Sequence, residues 1–530
     1  MLLNDCKGLK PPAEGVSRTV IIGGGTVGIY AAHELSKRGR DVVVIESGGQ
    51  ALDNFAPESY ISVGKPHEGI RLGRACNLGG TSNLWGGQLV EYQPADFVGR
   101  EWVPDSKWPV SYDEVAAYHR STYENLGISR EFLDDRQVFK HAGGIMPNFS
   151  EGLELFLTRW LKIPSFSVAY AEPIRSNEKL KALLHHTVVG FVGTDGRITA
   201  VQIVDRSGNT HLVEGDCFIL AAGTIEICRL MLHAAASPDW DCPWRHNENV
   251  GAYFQDHLVG RVASIDVLDR KRFFNTFCTI IQSGHKFQPK LRMTNVTLQR
   301  FRIMNIQGMM SFESSISENL VYLKQFLKAV LYSRKFSGIG DLARNLRACG
   351  KHLLPLMWKY MIDNRIFVPS TSKISLNIQG EQTPLRDSRV SIDSTIKDAA
   401  GLPKVILDWK VGSEELASIR DFTHRCDQAL RESGLASLQM VEDLQKLEPK
   451  FLTTLRDNYH HAGGARMAET AEDGVVDRDL RVFDTTNLYV AGAATFRTTS
   501  NANTTFTALA LVTRLIEHLT SARDRRLRDS

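Results

Sequence analysis

Residues 18–49 read "RTVIIGGGTVGIYAAHELSKRGRDVVVIESGG". Residues 19–22 are a short β-branched apolar run that stops at glycines, as a buried strand does. From Gly25 the apolar positions fall at helical spacing as far as Leu35. Gly39 punctuates the helix, and residues 42–45 form a second apolar run. The result is a β-α-β unit with Gly23, Gly25 and Gly28 in the G-x-G-x-x-G positions. The first glycine permits a tight turn, the second lets a pyrophosphate approach the backbone, and the third lets the helix pack on the strand. Glu46 ends the second strand, where an acid can accept hydrogen bonds from a ribose diol. Glycines alone also serve plain turns. Strand, glycines, helix, strand and acid in register predict a dinucleotide site, without separating FAD from NAD.

The rest of the chain sets limits on function. It has 530 residues, more than one hydrophobic core normally serves, so at least two domains are expected. The net charge of +3 gives nucleic-acid binding no electrostatic support. The eight cysteines are scattered and form no C-x-x-C pair, which suggests neither a zinc site nor a redox dithiol. Scattered thiols in a chain of this size predict a reduced, cytoplasmic protein. The first twenty residues lack the charged and apolar regions of a secretory signal. No run of roughly 18 apolar residues predicts a transmembrane helix.

Further along, "NLGGTSNLWGGQLVEYQPADF" (residues 77–97) puts four glycines within eleven residues around a tryptophan, as where backbone lies close to something flat or anionic. A helix is expected near Ser111, with Asp113 and Glu114 in its first turn. "DCFILAAGTIEICRLML" (216–232) returns to strand, small-residue turn and helix, so the cofactor domain is discontinuous. "NVGAYFQDH" (249–257) reads as a polar turn segment. From about residue 262 the pattern alternates in β fashion. Residues 317–367 look like a helical insertion with nine Lys or Arg against three Asp or Glu between 318 and 365. Glycines interrupt its apolar runs, which favours a lid over the substrate and leaves contact with a membrane surface as the alternative. "DSRVSIDSTIKDAAGLPKVILDWKV" predicts a hairpin, and an amphipathic helix closes at Gly434.

Taken together, "GGTSNLWGG", "AAGTIEICRLML", "NVGAYFQDH", "DSRVSID…GLPKVILDW", "NYHHAGGARM" and "NLYVAGAATFRTTSNANTTFTALAL", behind the first β-α-β unit, resemble the glucose–methanol–choline (GMC) oxidoreductases. The likeness covers almost the whole chain. The arginine of "GGARM" and the tryptophan of "TSNLWGG" look closest to the pyranose-oxidase-like branch. The resemblance implies an α/β fold: a discontinuous Rossmann-like FAD-binding domain (1–95, 186–260 and 451–530) with an α+β substrate domain on an antiparallel sheet (261–450), and a connecting and cap segment at 96–185. It implies FAD as cofactor and an alcohol, sugar, glycoside or polyol as substrate. Oxygen, a quinone or a redox protein would take the electrons. No metal is implied. A lyase of the same fold, or an oxidoreductase for a sterol, is the alternative.

Residue by residue, Gly23, Gly25 and Gly28 match the pyrophosphate cradle and Glu46 the ribose-binding acid. Gly79, Gly80, Thr81 and Ser82 match the loop that passes the flavin ring. Val188 matches a position whose backbone meets the adenine, and Gly492 and Ala493 match the late turn that returns to the cofactor. Leu84 stands where pyranose oxidases carry a flavin-linked histidine, which implies non-covalent FAD. In "NYHHAGGARM" (458–467), only His460 has the family's spacing to Gly463 and Met467, so His460 matches the active-site base. Neighbouring side chains on extended backbone point to opposite sides, so His461 should face the protein. Gly464 stands where the family commonly has threonine. Asn501 matches the second catalytic partner, with Asn503 left to cap the last helix.

Overall fold

The computed structural model describes residues 1–13, 15–52, 57–238, 240–313, 364–369 and 371–528. The predicted lid at 317–367 lies outside these residues except for its last four. Six parallel strands form the first sheet, in the order Leu2–Leu3, Leu180–Leu184, Asp41–Glu46, Arg18–Ile22, Cys217–Leu220 and Leu488–Val490. Arg18–Ile22 and Asp41–Glu46 are buried along their whole length, as strands covered on both faces require. Thr26–Lys37 crosses between them as the predicted helix. Gly28 is fixed by close approach: a Cβ there would lie 1.9 Å from the carbonyl oxygen of Gly23.

The second sheet is antiparallel. It runs Ala436–Met440, Leu258–Val267, Lys373–Gly380, Ile306–Glu313, His285–Met293, Leu153–Trp160 and Gln88–Leu89, with Ile280–Gln282 added beside His285–Met293. Its two faces differ. Leu291, Ile306, Leu376 and Ile378 are buried on one face, where Phe422 of the helix Glu414–Glu432 packs against Gly308. The other parity carries a group of polar residues beside Phe156, Trp160 and Met309. Gln307 pairs with both Gln379 and Arg292, Lys290 with Phe156, and Gln288 with Thr158. Paired residues share a face, so Gln379, Gln307, Arg292, Lys290 and Gln288 form one polar surface.

The expected hairpin is present as Arg389–Lys397 and Pro403–Trp409, with Tyr60–Gly64 added in parallel. Ser111 and Glu114 form a capping box at the helix Tyr112–Ala116. The division read from sequence differs at two points. The segment 96–185 supplies Leu180–Leu184 to the parallel sheet and Leu153–Trp160 to the antiparallel one. Leu180–Leu184 is "LKALL", residue types that favour helix in isolation. Pairing with Asp41–Glu46 on one side and Leu2–Leu3 on the other overrides that preference. Among the described residues no helix is long and apolar enough to cross a membrane.

Candidate functional site

The glycine-bearing turns meet at the carboxyl ends of the parallel strands. Gly79 donates its N–H to the carbonyl of Gly24 at 2.8 Å, and a Cβ on Gly80 would lie 2.9 Å from the Cα of Gly25. The loop of residues 77–87 is therefore stacked on the first turn. A Cβ on Gly25 would meet nothing within 4 Å, and one on Gly492 only Val27 at 4.0 Å. These backbones border open space at a helix N-terminus, the setting that accepts a pyrophosphate. Glu46 takes the N–H groups of Gly24 and Gly48 at 2.8 and 2.9 Å. A carboxylate has about four lone-pair positions, so the same group can hold the loop and accept ribose hydroxyls. Glu46→Ala should weaken FAD binding by at least about tenfold, the worth of one charge-assisted hydrogen bond. The reduction rate of the loaded fraction should stay within twofold. An FAD titration of the apoprotein checks this, and unchanged affinity would remove Glu46 from the cofactor site.

The other expected cofactor residues divide. Thr81 is exposed at the loop surface. Ser82 is buried and already committed, donating to the carbonyl of Gly79 at 2.5 Å and accepting the N–H of Phe166 at 3.0 Å. Both bonds tie the loop to itself and to the helix Phe166–Ala169. Val188 lies buried on His186–Thr194, where the register shifts by a bulge before Gly190. Ala493 accepts the N–H of Gly463 at 3.0 Å, which ties the late turn to the segment carrying His460.

His460 and His461 do point apart. Gln255 and Ala462 exchange backbone hydrogen bonds at 2.9 Å, so the 249–257 and 458–467 segments lie antiparallel. Between them sits Asp256, fully buried. Its carboxylate accepts the N–H groups of His257 (2.7 Å), His460 (3.0 Å) and Asn458 (3.2 Å) and meets His67 Nε2 at 3.1 Å. His67 Nδ1 accepts the N–H of Ile70, so Nε2 carries the proton given to Asp256. Burial pushes the Asp256 carboxyl up, but the His67 hydrogen bond and the surrounding imidazoles outweigh it and leave the group well below the usual carboxylate range. The His461 ring turns towards His67 and Phe254, its Nε2 buried without a hydrogen-bond partner.

The His460 ring turns the other way. Its Nδ1 lies 2.9 Å from Nδ1 of His257. His257 Nε2 faces the carbonyls of Thr499 and Ser500 at 3.0 and 3.1 Å. Carbonyls only accept, so that nitrogen carries a proton. Burial lowers the His257 pKa, which keeps the ring neutral and its Nδ1 bare. His460 Nδ1 must then donate, and its Nε2 is left with the lone pair. Asn458 Nδ2, 3.2 Å from the same Nδ1, donates instead to Gln379 Oε1 at 2.7 Å. Burial first, then the neighbouring His257 imidazole and the Lys290 amine, hold His460 down to about 3. His460 is therefore a neutral imidazole with one free basic nitrogen.

Asn501 reaches the same place through Gln379, whose Nε2 donates to the Asn501 carbonyl at 2.8 Å. The Asn501 side chain is buried, and neither of its amide atoms has a partner among the described residues. Asn503 directly precedes the helix Thr504–Arg528, the position expected of its cap. Its Oδ1 accepts from Gln379 at 3.2 Å and its Nδ2 reaches Gln88 at 3.4 Å, so it lies between the last helix and the polar sheet face. At Gly464 the backbone has φ +82°, and a Cβ would meet Cys228 Sγ at 2.3 Å. The sulfur fills the space a threonine would need. Sequence reasoning took 249–257 for a polar turn and so missed Asp256 and His257. The available signal was "QDH", an acid and an imidazole side by side.

Comparison with known proteins agrees with this geometry. Residues 18–238 match the family model for FAD dependent oxidoreductase and residues 384–511 the one for GMC oxidoreductase. The chain is 23% identical to the fructose dehydrogenase large subunit of Gluconobacter japonicus, over 93% of this chain and 95% of that protein. It is 22% identical to 2-methyl-1,2-propanediol dehydrogenase of Mycolicibacterium austroafricanum, over 84% and 80%. It is 21% identical to 6'''-hydroxyparomomycin C oxidase of Streptomyces lividus, over 94% and 91%. Among solved structures, pyridoxine 4-oxidase from Mesorbium loti superposes with a TM-score of 0.56 at 16% identity, covering 95% of this chain and 99% of that one. Cofactor cradle, two-sheet architecture and both matched segments lead to one conclusion: the chain belongs to the GMC oxidoreductases and is an FAD-dependent oxidoreductase.

Proposed function

We propose that the enzyme oxidises a CH–OH group of a polar, polyhydroxylated alcohol, with His460 Nε2 as the proton acceptor. The observation that carries this reading is the lone pair left on Nε2 by the His257 hydrogen bond. His257 holds the ring, so the lone pair meets a substrate hydroxyl without reorganising. Asn501 Nδ2 donates to the same oxygen as negative charge builds on it. FAD supplies the acceptor for the hydride leaving the carbinol carbon. Gly23, Gly25, Gly28, Glu46, Gly79, Gly80 and Thr81 are assigned to hold it, with Val188 at the adenine and Gly492 and Ala493 at the late turn. Leu84 offers no nucleophile, so FAD is held without a covalent bond.

The polar sheet face supports a hydroxyl-rich substrate over a sterol. Gln307 is fully buried, and both of its amide atoms lack partners among the described residues. Buried amides demand hydrogen bonds, and a sterol ring would leave them unmet. Relatives named for fructose, 2-methyl-1,2-propanediol and 6'''-hydroxyparomomycin C point the same way. An anaerobic screen of sugars, glycosides, polyols and sterols, followed by flavin absorbance, tests the proposal. A sugar or polyol should bleach the flavin. Bleaching by sterols alone, or turnover without bleaching as in a lyase, would overturn it. Acid precipitation of the same preparation should release the yellow colour to the supernatant. Colour kept in the pellet would mean a covalent link.

A further inference from the structure

Lys290 is 1% exposed, on an interior strand of the antiparallel sheet and on its polar face. Its one hydrogen bond runs to the amide oxygen of Gln88 at 3.2 Å. Among the described residues no carboxylate lies within ion-pairing distance. Neighbouring cations on these strands are neutralised: Arg292 by Glu154 at 2.6 Å and Arg159 by Asp135 at 2.7 Å. A buried ammonium without a counter-ion is costly, and a methionine of similar reach would fill the space without that cost.

Position gives the amine a purpose. Gln88 Oε1 also meets Asn503, Asn503 meets Gln379, and Gln379 meets Asn458 beside His460. Lys290 thus ends a continuous line of amides that begins at the proton acceptor, and its charge acts on His460. Unpartnered Gln307 stands on the same face. From this arrangement we propose that Lys290 is an anion subsite of the substrate pocket, and that the preferred substrate is a polyhydroxylated acid, an alcohol carrying a carboxylate. The inference rests on the polyol reading above and narrows it. Burial holds the amine down to about 7, so an arriving carboxylate supplies the counter-charge that keeps it protonated. The same cation disfavours amino sugars.

The test uses the FAD-loaded enzyme under anaerobic conditions, with gluconate, glucuronate, glucose and glucosamine as matched probes. Flavin bleaching rate and the flavin spectral shift on titration are read for each. The expected order is acid, then neutral sugar, then amine, with at least a tenfold preference in kcat/KM for an acid over glucose. Lys290→Met and Lys290→Gln should each cut that preference by at least tenfold. Bleaching by glucose with no response to either acid overturns the anion subsite and leaves the polyol reading standing. Bleaching by none of them, in enzyme that dithionite reduces, overturns both. If Lys290→Met leaves the acid-to-glucose ratio within twofold and lowers the flavin potential instead, the amine is a counter-charge to the reduced cofactor and the proposal fails.

Discussion

His460→Ala should lose at least about a hundredfold in the rate of flavin reduction by substrate, because a positioned general base contributes 10²–10⁴. It should keep its FAD. The ring touches His257 and Asn458, and the glycine cradle contacts neither. His461→Ala removes a ring packed against His67 and Phe254 and should cost far less in rate. Anaerobic stopped-flow reduction of both variants decides between them, and a larger loss in His461→Ala would show the two imidazoles exchanged. The pH profile gives a second reading. The His460 pKa is depressed to about 3, so its basic form persists well below the ordinary histidine range. Wild-type reduction should therefore show no acid limb near pH 6.5. A limb there would mean that the ring is hydrated in the working enzyme.

Asp256→Ala should be the most damaging single change to stability. Three backbone N–H groups and the His67 Nε2–H converge on this buried carboxylate. Each buried donor left unpaired costs about 1–3 kcal/mol, and some will find water, so a loss of about 4 kcal/mol is expected. That should lower Tm by about 3–4 °C. It should also slow flavin reduction in the folded fraction, because the His460 backbone is held by the same oxygens. Asp256→Asn keeps an acceptor for the backbone donors but turns an N–H towards His67, so it should fall between. Thermal unfolding followed by flavin fluorescence measures both. An Asp256→Ala protein with wild-type Tm and reduction rate would remove Asp256 from the centre of the site.

The cofactor half of the fold was legible because its determinants are local. Residues 18–49 carry strand, turn, helix, strand and acid within one β-α-β unit, and each signal depends only on near neighbours. The structure repeats them as Arg18–Ile22, Thr26–Lys37 and Asp41–Glu46. The hairpin Arg389–Trp409 and the helix closed by Gly434 were readable for the same reason. Opposed orientation of His460 and His461 followed from the two-residue period of extended chain. Leu180–Leu184 was not readable, since its leucines, alanine and lysine suit a helix and only its two strand neighbours make it a strand.

His460 and Asn501 were singled out by the resemblance to the family; the sequence by itself determined the glycine-bearing β-α-β turn and the α/β class. Those depend on glycine sterics and on side-chain periodicity, which act within a few residues. Tertiary structure alone decided which nitrogen of His460 is basic, because His257 lies 203 positions away in the chain and takes its own tautomer from carbonyls at Thr499 and Ser500. It likewise tied Ser82 to Phe166, gave Asn503 to Gln379 and filled the space over Gly464 with Cys228. It left Lys290 buried with no carboxylate in ion-pairing reach among the described residues. Each of these is a contact between groups far apart in sequence, and proton position and charge balance are set by such contacts.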